Sequence, residues 1–301
     1  MLRAMYSGIS GLKNFQSKLD VVGNNIANVN TFGYKKGRVT FKDLVSQQVG
    51  SASGGNGTTA GGINPKEIGL GGTMATVDNV YNQGAMQNTG RALDVGISGE
   101  GFYVTRTENG FQYTRAGNFY TDNDGNLVTG DGTFLLASRT ATTPPLTPPA
   151  TTPPLNAVET PIKPYDPTVT PGPTPAYGRI QIPATAKAIS VAKDGKVSFV
   201  DDAGKLQVAG YIVTANFANN AGLSKTGANN FSESQNSGIP QIGIPGADGR
   251  GSLVSGALEM SNVDLSEEFT EMIVAQRGFQ ANTRIITTSD EILQELVNLK
   301  R

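Results

Sequence analysis

LDVVGNNIANVNTFGYKK, residues 19–36, is the stretch on which the fold turns. Apolar residues return in it at helical spacing, yet Asn24, Asn25, Asn28 and Asn30 sit among them, and no charge occurs from Val21 to Tyr34. Asparagine is a poor helix former and a good turn former. The apolar spacing nevertheless continues upstream. Leu2, Met5, Ile9, Leu12, Gln16, Leu19, Gly23 and Ile26 follow a strict 3-4 repeat, and six of these eight are apolar. That is the pattern of a coiled-coil seam. Phe15 and Val22 widen the stripe. The spacing predicts a helix over residues 1–30, closed by the turn residues Asn28 to Gly33, with Gly33 suited to a left-handed position.

The opposite end carries a second helix pattern over residues 261–301. Asp264 followed by Glu267 reads as a capping box with acids in the first turn. Leu265, Phe269, Met272, Gln276, Phe279, Thr283 and Ile286 repeat at 4-3 spacing, and Ile292, Leu293, Leu296 and Leu299 continue the stripe. The β-branched run Ile285 to Thr288 is a weak point, so one bent helix or two joined helices both fit.

Between the helices the pattern changes. Residues 31–85 are rich in Gly, Ser and Asn and read as extended segments, with one or two strands over Ile68–Val80. Residues 92–137 and 179–217 alternate strand-like runs with Asn109-Gly110, Asp124-Gly125, Asp131-Gly132 and Asp194-Gly195 turns. The segment 138–177 holds most of the prolines and favours polyproline II or disorder, because proline cannot donate to a sheet ladder.

Composition removes much chemistry. The chain of 301 residues has no His, Cys or Trp, so Ser-His-Asp and Cys-His nucleophiles, disulfides and Cys/His zinc sites are all excluded. Net charge is −1 and pI about 5.6, which gives no basic footprint for nucleic acid. GISGEG at Gly96–Gly101 and GLGGT at Gly69–Thr73 lack the P-loop spacing and read as tight turns. DNDGN at Asp122–Asn126 lacks the later calcium-loop ligands and reads as a hairpin turn. The acid pairs Glu267/Glu268 and Asp201/Asp202 read as cap and turn acids. Lys35, Lys36 and Arg38 read as a solvated cluster or as ion-pair partners of a neighbouring chain. We expect no catalytic residue, no metal, no cofactor, no nucleic-acid partner and no membrane insertion.

Neither terminal helix can bury its stripe alone, and an isolated helix is marginal in water. The economical solution pairs the termini and loops the β region out between them. The expected fold is therefore α+β and multidomain: a discontinuous helical coiled-coil domain (1–30 and 261–301) and a mainly antiparallel all-β middle domain (86–137 and 178–245). A connecting segment (31–85), a proline-rich insert (138–177) and a return connection (246–260) complete it. The residues expected to hold the helices and the assembly are Leu2, Met5, Ile9, Leu12, Leu19, Val22, Ile26, Leu265, Phe269, Met272, Phe279, Ile286, Leu293 and Leu296. Asn24, Asn25, Asn28, Gln276 and Arg277 are the candidate polar contacts between subunits. Apolar surface beyond what one helix pair covers implies partners.

Residues 7–44, 92–132 and 257–299 also resemble the bacterial flagellar axial proteins of the rod and hook, on SGISGLKNFQSKLDVVGNNIANVNTFGYKK, ALDVGISGEGFYVTRTENGFQYTRAGNFYT and EFTEMIVAQRGFQANTRIITTSDEILQELVNL. Within that family the resemblance is closest to the short hook subunits of Bacillus-like bacteria, with distal-rod subunits next. The resemblance implies a self-assembling tube. Its terminal helices would line a central channel, and the β domain would pack outside them. It implies as partners the distal rod, the hook cap, the hook-filament junction proteins and the flagellar type III export apparatus. It also implies export without a cleaved signal and an extracellular place in the hook or basal body. A hook would act as a flexible universal joint carrying torque from rod to filament. The reading from another class is a carboxylate-dependent enzyme or polysaccharide-binding β module, to which no particular acid pair points.

Overall fold

The computed structural model describes residues 2–54, 61–107, 110–138 and 177–299. The proline-rich insert expected at 138–177 lies, apart from its two end residues, outside them. The chain divides into two compact units, Met1–Asn28 with Lys36–Val80 and Val263–Arg301, and Val29–Lys35 with Tyr81–Asn262.

The first unit holds both terminal helices, α1 (Leu2–Ala27) and α2 (Leu265–Asn298). At 1.5 Å per residue they extend about 39 Å and about 51 Å. α2 starts where the Asp264 carboxylate accepts from the Ser266 and Glu267 backbone N–H groups at 2.8 and 3.4 Å. The return arm of the expected capping box is used otherwise, since the Glu267 carboxylate meets Lys36. α2 runs unbroken through residues 285–288. Thr287, Thr288 and Ser289 turn their hydroxyls back onto carbonyls of their own preceding turn, at Arg284 and Ile285. Their hydrogen-bonding capacity is thereby absorbed without a break.

α1 and α2 lie antiparallel and close. Gly8 faces Ile286, Gly11 faces Asn282, and Phe15 lies on Gly278, where a β-carbon would collide with its ring. Lys18 pairs with Glu271 at 3.3 Å and Asn25 bonds Glu268 at 3.1 Å. Two antiparallel ribbons complete the unit. β1 (Gly37–Asp43) pairs with β4 (Gly72–Asn79), and β2 (Ser46–Gly50) pairs with β3 (Lys66–Gly69). The first ribbon approaches α1 through glycine: a side chain on Gly71 would strike the Ser10 hydroxyl.

The second unit is β, and every strand pair among its described residues is antiparallel. It contains β5 (Met86–Asn88), β6 (Val95–Ser98), β7 (Phe102–Thr107) and β8 (Gly110–Thr114), followed by shorter strands. Its main sheet runs in the order 189–191, 196–200, 206–212, 134–138, β7, β8, 230–232, 224–227. Two apolar clusters fill it, one around Tyr103, Leu135, Ile180 and Phe199, the other around Phe102, Tyr113, Val213 and Phe231. The returning chain closes it: Ser252–Ser255 pairs with β6, and Ala257–Glu259 pairs with β5.

Candidate assembly interface

Charge is handled separately in each unit. In the β unit, Glu259, Lys35 and Arg115 are 2%, 2% and 5% exposed and meet one another. One Glu259 oxygen accepts from Lys35 Nζ at 2.7 Å and from the Gly84 N–H at 2.9 Å. The other accepts from Arg115 Nε. Lys35 also donates to the Asn82 carbonyl at 2.9 Å. The Arg115 guanidinium further donates to the carbonyls of Ile97, Gly99 and Gly101. The GISGEG turn therefore gathers carbonyl oxygens around a cation, the reverse of a phosphate loop. Gly99 and Gly101 make this possible, with φ of 107° and 130° that side chains rarely adopt.

Burial alone would push Glu259 up. The Arg115 and Lys35 charges, with their hydrogen bonds, outweigh it and hold the carboxyl below its ordinary range. Burial pulls Lys35 down, with the Glu259 charge opposing and the Arg115 charge adding to the fall. The cluster ties the segment arriving after α1 to the segment leaving for α2, and the Gly33 N–H adds a bond to the Glu259 carbonyl at 2.8 Å.

A second node lies in the helical unit. Asn25 is 1% exposed and its side chain is fully used. Its amide donates to the Gly37 carbonyl at 2.9 Å and to Glu268, and its carbonyl accepts from the Gly37 N–H at 2.9 Å. Glu268 is 3% exposed. Burial raises its pKa, with the Asn25 bond and the Lys36 charge opposing. Lys36 reaches Glu267 at 2.8 Å and Glu268 at 3.8 Å, and the Glu267 bond raises its pKa. Arg38 pairs with Asp78. Of the basic cluster, Lys35 is withdrawn from solvent, Lys36 is half-buried and Arg38 stays exposed, and all three have acid partners within their own chain. Asn25 is likewise withdrawn from the set of candidate contacts between subunits, because it is spent on the helix pair. Asn24 is exposed, and Asn28 donates back to the Asn24 carbonyl at 2.9 Å. Gln276 and Arg277 are exposed on α2.

The contacts between α1 and α2 pass through Gly8, Gly11, Phe15, Lys18 and Asn25 on one side, with Val22 buried in the same register. They pass through Glu268, Glu271, Gly278, Asn282 and Ile286 on the other, with Ala275 buried in the same register. Apart from Ile286, both series keep 3-4 spacing but fall one residue before the apolar repeat, a rotation of about 100° on each helix. Within the chain the seam is therefore small and polar, and the apolar repeat flanks it. Val22 is buried; Met5, Leu12, Leu19, Ile26, Met272, Ile286 and Leu293 are half-buried. Ile9, Leu265, Phe269, Phe279 and Leu296 are exposed, Phe269 by 50%. The side chain of Leu2 lies outside the described residues. Ile273, Val274, Ile285 and Ile292 add further apolar surface to α2.

Sequence reasoning missed the Lys35–Glu259–Arg115 cluster, because nothing local marks Glu259 in Ala-Leu-Glu-Met as buried. The glycine seam had a signal, since Gly8, Gly11, Phe15 and Val22 keep their own 3-4 register. No helix among the described residues is long and apolar enough to cross a membrane.

Comparison with known proteins places the chain in a family. Residues 5–35 match the family described as flagella basal body rod protein, and residues 96–199 match the flagellar hook protein FlgE/F/G D1 domain. Residues 254–299 match the flagellar basal body rod FlgEFG protein C-terminal family. The flagellar basal-body rod protein FlgG of Bacillus subtilis (strain 168) is 53% identical over 302 residues, covering 100% of both chains. The flagellar hook protein FlgE of Borreliella burgdorferi is 32% identical over 445 aligned positions, covering 100% of both. The flagellar basal-body rod protein FlgG of Agrobacterium fabrum is 34% identical over 295 residues, covering 97% of both. With its terminal helices, its β unit and its whole length all matched, the chain belongs to the flagellar rod and hook axial protein family, a family of structural proteins and not of enzymes.

Proposed function

We propose that this chain is a rod-type subunit of the flagellar axial tube, which polymerises with copies of itself through its terminal helices. The observation that carries the reading is the displaced apolar repeat. α1 covers a small, polar seam on α2, so Leu265, Phe269, Ile273, Val274, Ile285 and Ile292 remain exposed on its flanks. At roughly 25 cal/mol per Å², such surface favours coverage by neighbours. Supercoiled packing of α1 and α2 belongs to the same proposal. So do attachment next to other axial proteins and export without a cleaved signal.

The rod reading rests on length as well as identity. The Bacillus subtilis rod protein aligns over 302 residues, whereas the hook proteins need 445 and 464 positions to align with these 301. Hook relatives therefore carry a large additional portion that this chain lacks. The hook reading, with its bending joint, keeps support from the 32% identity to one of those proteins. Electron microscopy of polymers grown from the purified full chain tests the choice: straight tubes support the rod, and uniformly curved tubes overturn it. Deleting residues 1–30 should abolish tubes of either form. If the deleted protein still polymerises, the helical account of assembly is wrong.

A further inference from the structure

The rod or hook reading gives no role to a carboxyl enclosed between the helices, and Glu268 is such a group. It sits in the first turns of α2 and is 3% exposed. From α1 it is met by the Asn25 amide at 3.1 Å, and from the segment entering β1 by Lys36 Nζ at 3.8 Å. On α2 its charged neighbours are Glu267 and Glu271. Those neighbours divide the available cations. Lys36 gives its close contact to Glu267 at 2.8 Å, and Lys18 from α1 pairs with Glu271 at 3.3 Å. Glu268 is left with a neutral amide as its nearest donor and with like charges on its own helix. Asn25 cannot turn further toward it, because its other amide hydrogen and its carbonyl are held by Gly37.

We propose that Glu268 is a proton-linked latch on the terminal helix pair: closing α1 against α2 encloses its carboxyl beside Asn25 and draws a proton onto it. In the open pair the carboxyl is hydrated and ionised at neutral pH. In the closed pair water is replaced by one amide donor and by the Lys36 charge at 3.8 Å, so the charged form loses solvation that these two do not return. A protonated carboxyl keeps one oxygen to accept from Asn25. The Asn25 bond and the Lys36 charge favour the carboxylate, and burial, joined by the Glu271 and Glu267 charges, outweighs them. Pairing is therefore strengthened as pH falls from neutrality toward the ordinary carboxyl range. Each pH unit over which the closed pair holds the proton and the open pair does not shifts the pairing equilibrium about tenfold. Self-association through the pair would inherit the same dependence, but the latch is a property of the single chain and stands apart from the choice between rod and hook.

The test is helix content of the full chain by circular dichroism, from about pH 8 to about pH 5, for wild type, Glu268→Gln and Glu268→Met. Gln keeps the shape and an acceptor without titrating, and Met fills the volume without polarity. The expected result is a wild-type gain in helix toward acid that both variants lack, with both already at the acid level near neutrality. Other carboxyls titrate in the same window, so the difference between wild type and the variants is what counts. Parallel curves overturn the proposal. So does loss of helix at every pH in both variants, since that would show the pair needs the charge. As a second readout, a pH-stat on assembly should record fewer protons taken up per subunit by Glu268→Gln than by wild type. Equal uptake also overturns it.

Discussion

Replacing Glu259 by Gln tests the ion cluster of the β unit most directly. The change preserves shape and removes one negative charge from between Lys35 and Arg115. The wild-type cluster carries two cations and one anion, and the variant would carry two buried cations with no anion. Removing one partner of a buried ion pair costs about 3–5 kcal/mol, mostly through the charge left uncompensated. The carbonyls of Ile97, Gly99, Gly101 and Asn82 soften the loss, since they already solvate the cations. The lower half of that range, about 3 kcal/mol, is therefore expected. Against a typical total of about 5–15 kcal/mol this is a large fraction. For a unit of this size it corresponds to a fall in Tm of about 6–12 °C. The chain has nine tyrosines and no tryptophan, so urea unfolding can be followed by tyrosine fluorescence. Tyr103 and Tyr113 are buried in the two apolar clusters of the unit and serve as its reporters. A double-mutant cycle with Lys35→Met should recover part of the loss, because the second cation is then absent. If Glu259→Gln costs less than about 1 kcal/mol, the cluster contributes no more than an exposed pair, and the reasoning fails.

Three further outcomes follow from the same geometry. Asn25→Ala leaves the Gly37 N–H and carbonyl without their side-chain partner and should destabilise the helical unit by about 2 kcal/mol or more. Exposed Asn24→Ala should stay within about 0.5 kcal/mol, both read by helix melting in circular dichroism. Gly278→Leu drives a side chain into Phe15 and should cost about 1–3 kcal/mol of helix pairing; adding Phe15→Ala should restore part of it, read as polymer recovered by sedimentation. For pH, the Glu259 carboxyl is depressed in the fold, so its contribution is present above its ordinary 4.5 and lost as pH falls through the lower folded value. Urea midpoints of the β unit should therefore fall below about pH 4.5, and Glu259→Gln should flatten that fall.

Local chemistry was readable where one short segment sufficed. The two helices, the Asp264 cap and the Asp124-Gly125 and Asp194-Gly195 turns depend on residues within a few positions of one another and stand near where their patterns place them, with the helices shorter than the expected 1–30 and 261–301. The weak point at 285–288 did not break the helix, because its hydroxyls bond backward along the chain. Lys35 departs from the expected solvated cluster for the opposite reason. Lys35 finds Glu259, 224 residues away in sequence, and nothing near either residue announces the other.

By itself, the sequence determined that two helices stand at the chain ends, that a β region lies between them and that no histidine or cysteine chemistry is available. Spacing and composition decide those points without reference to distant residues. Only the tertiary structure decided which stripe of each helix meets the other. An apolar repeat and a glycine repeat run side by side at the same spacing, one residue apart. The glycines admit the close approach of two helices, and Phe15 on Gly278 realises it. The asparagines of LDVVGNNIANVNTFGYKK were divided in the same way: Asn24 lies exposed, while Asn25, one position on, is enclosed between α1, α2 and Gly37. A rotation of about 100° per residue separates the two, and its reference direction is set by the partner helix.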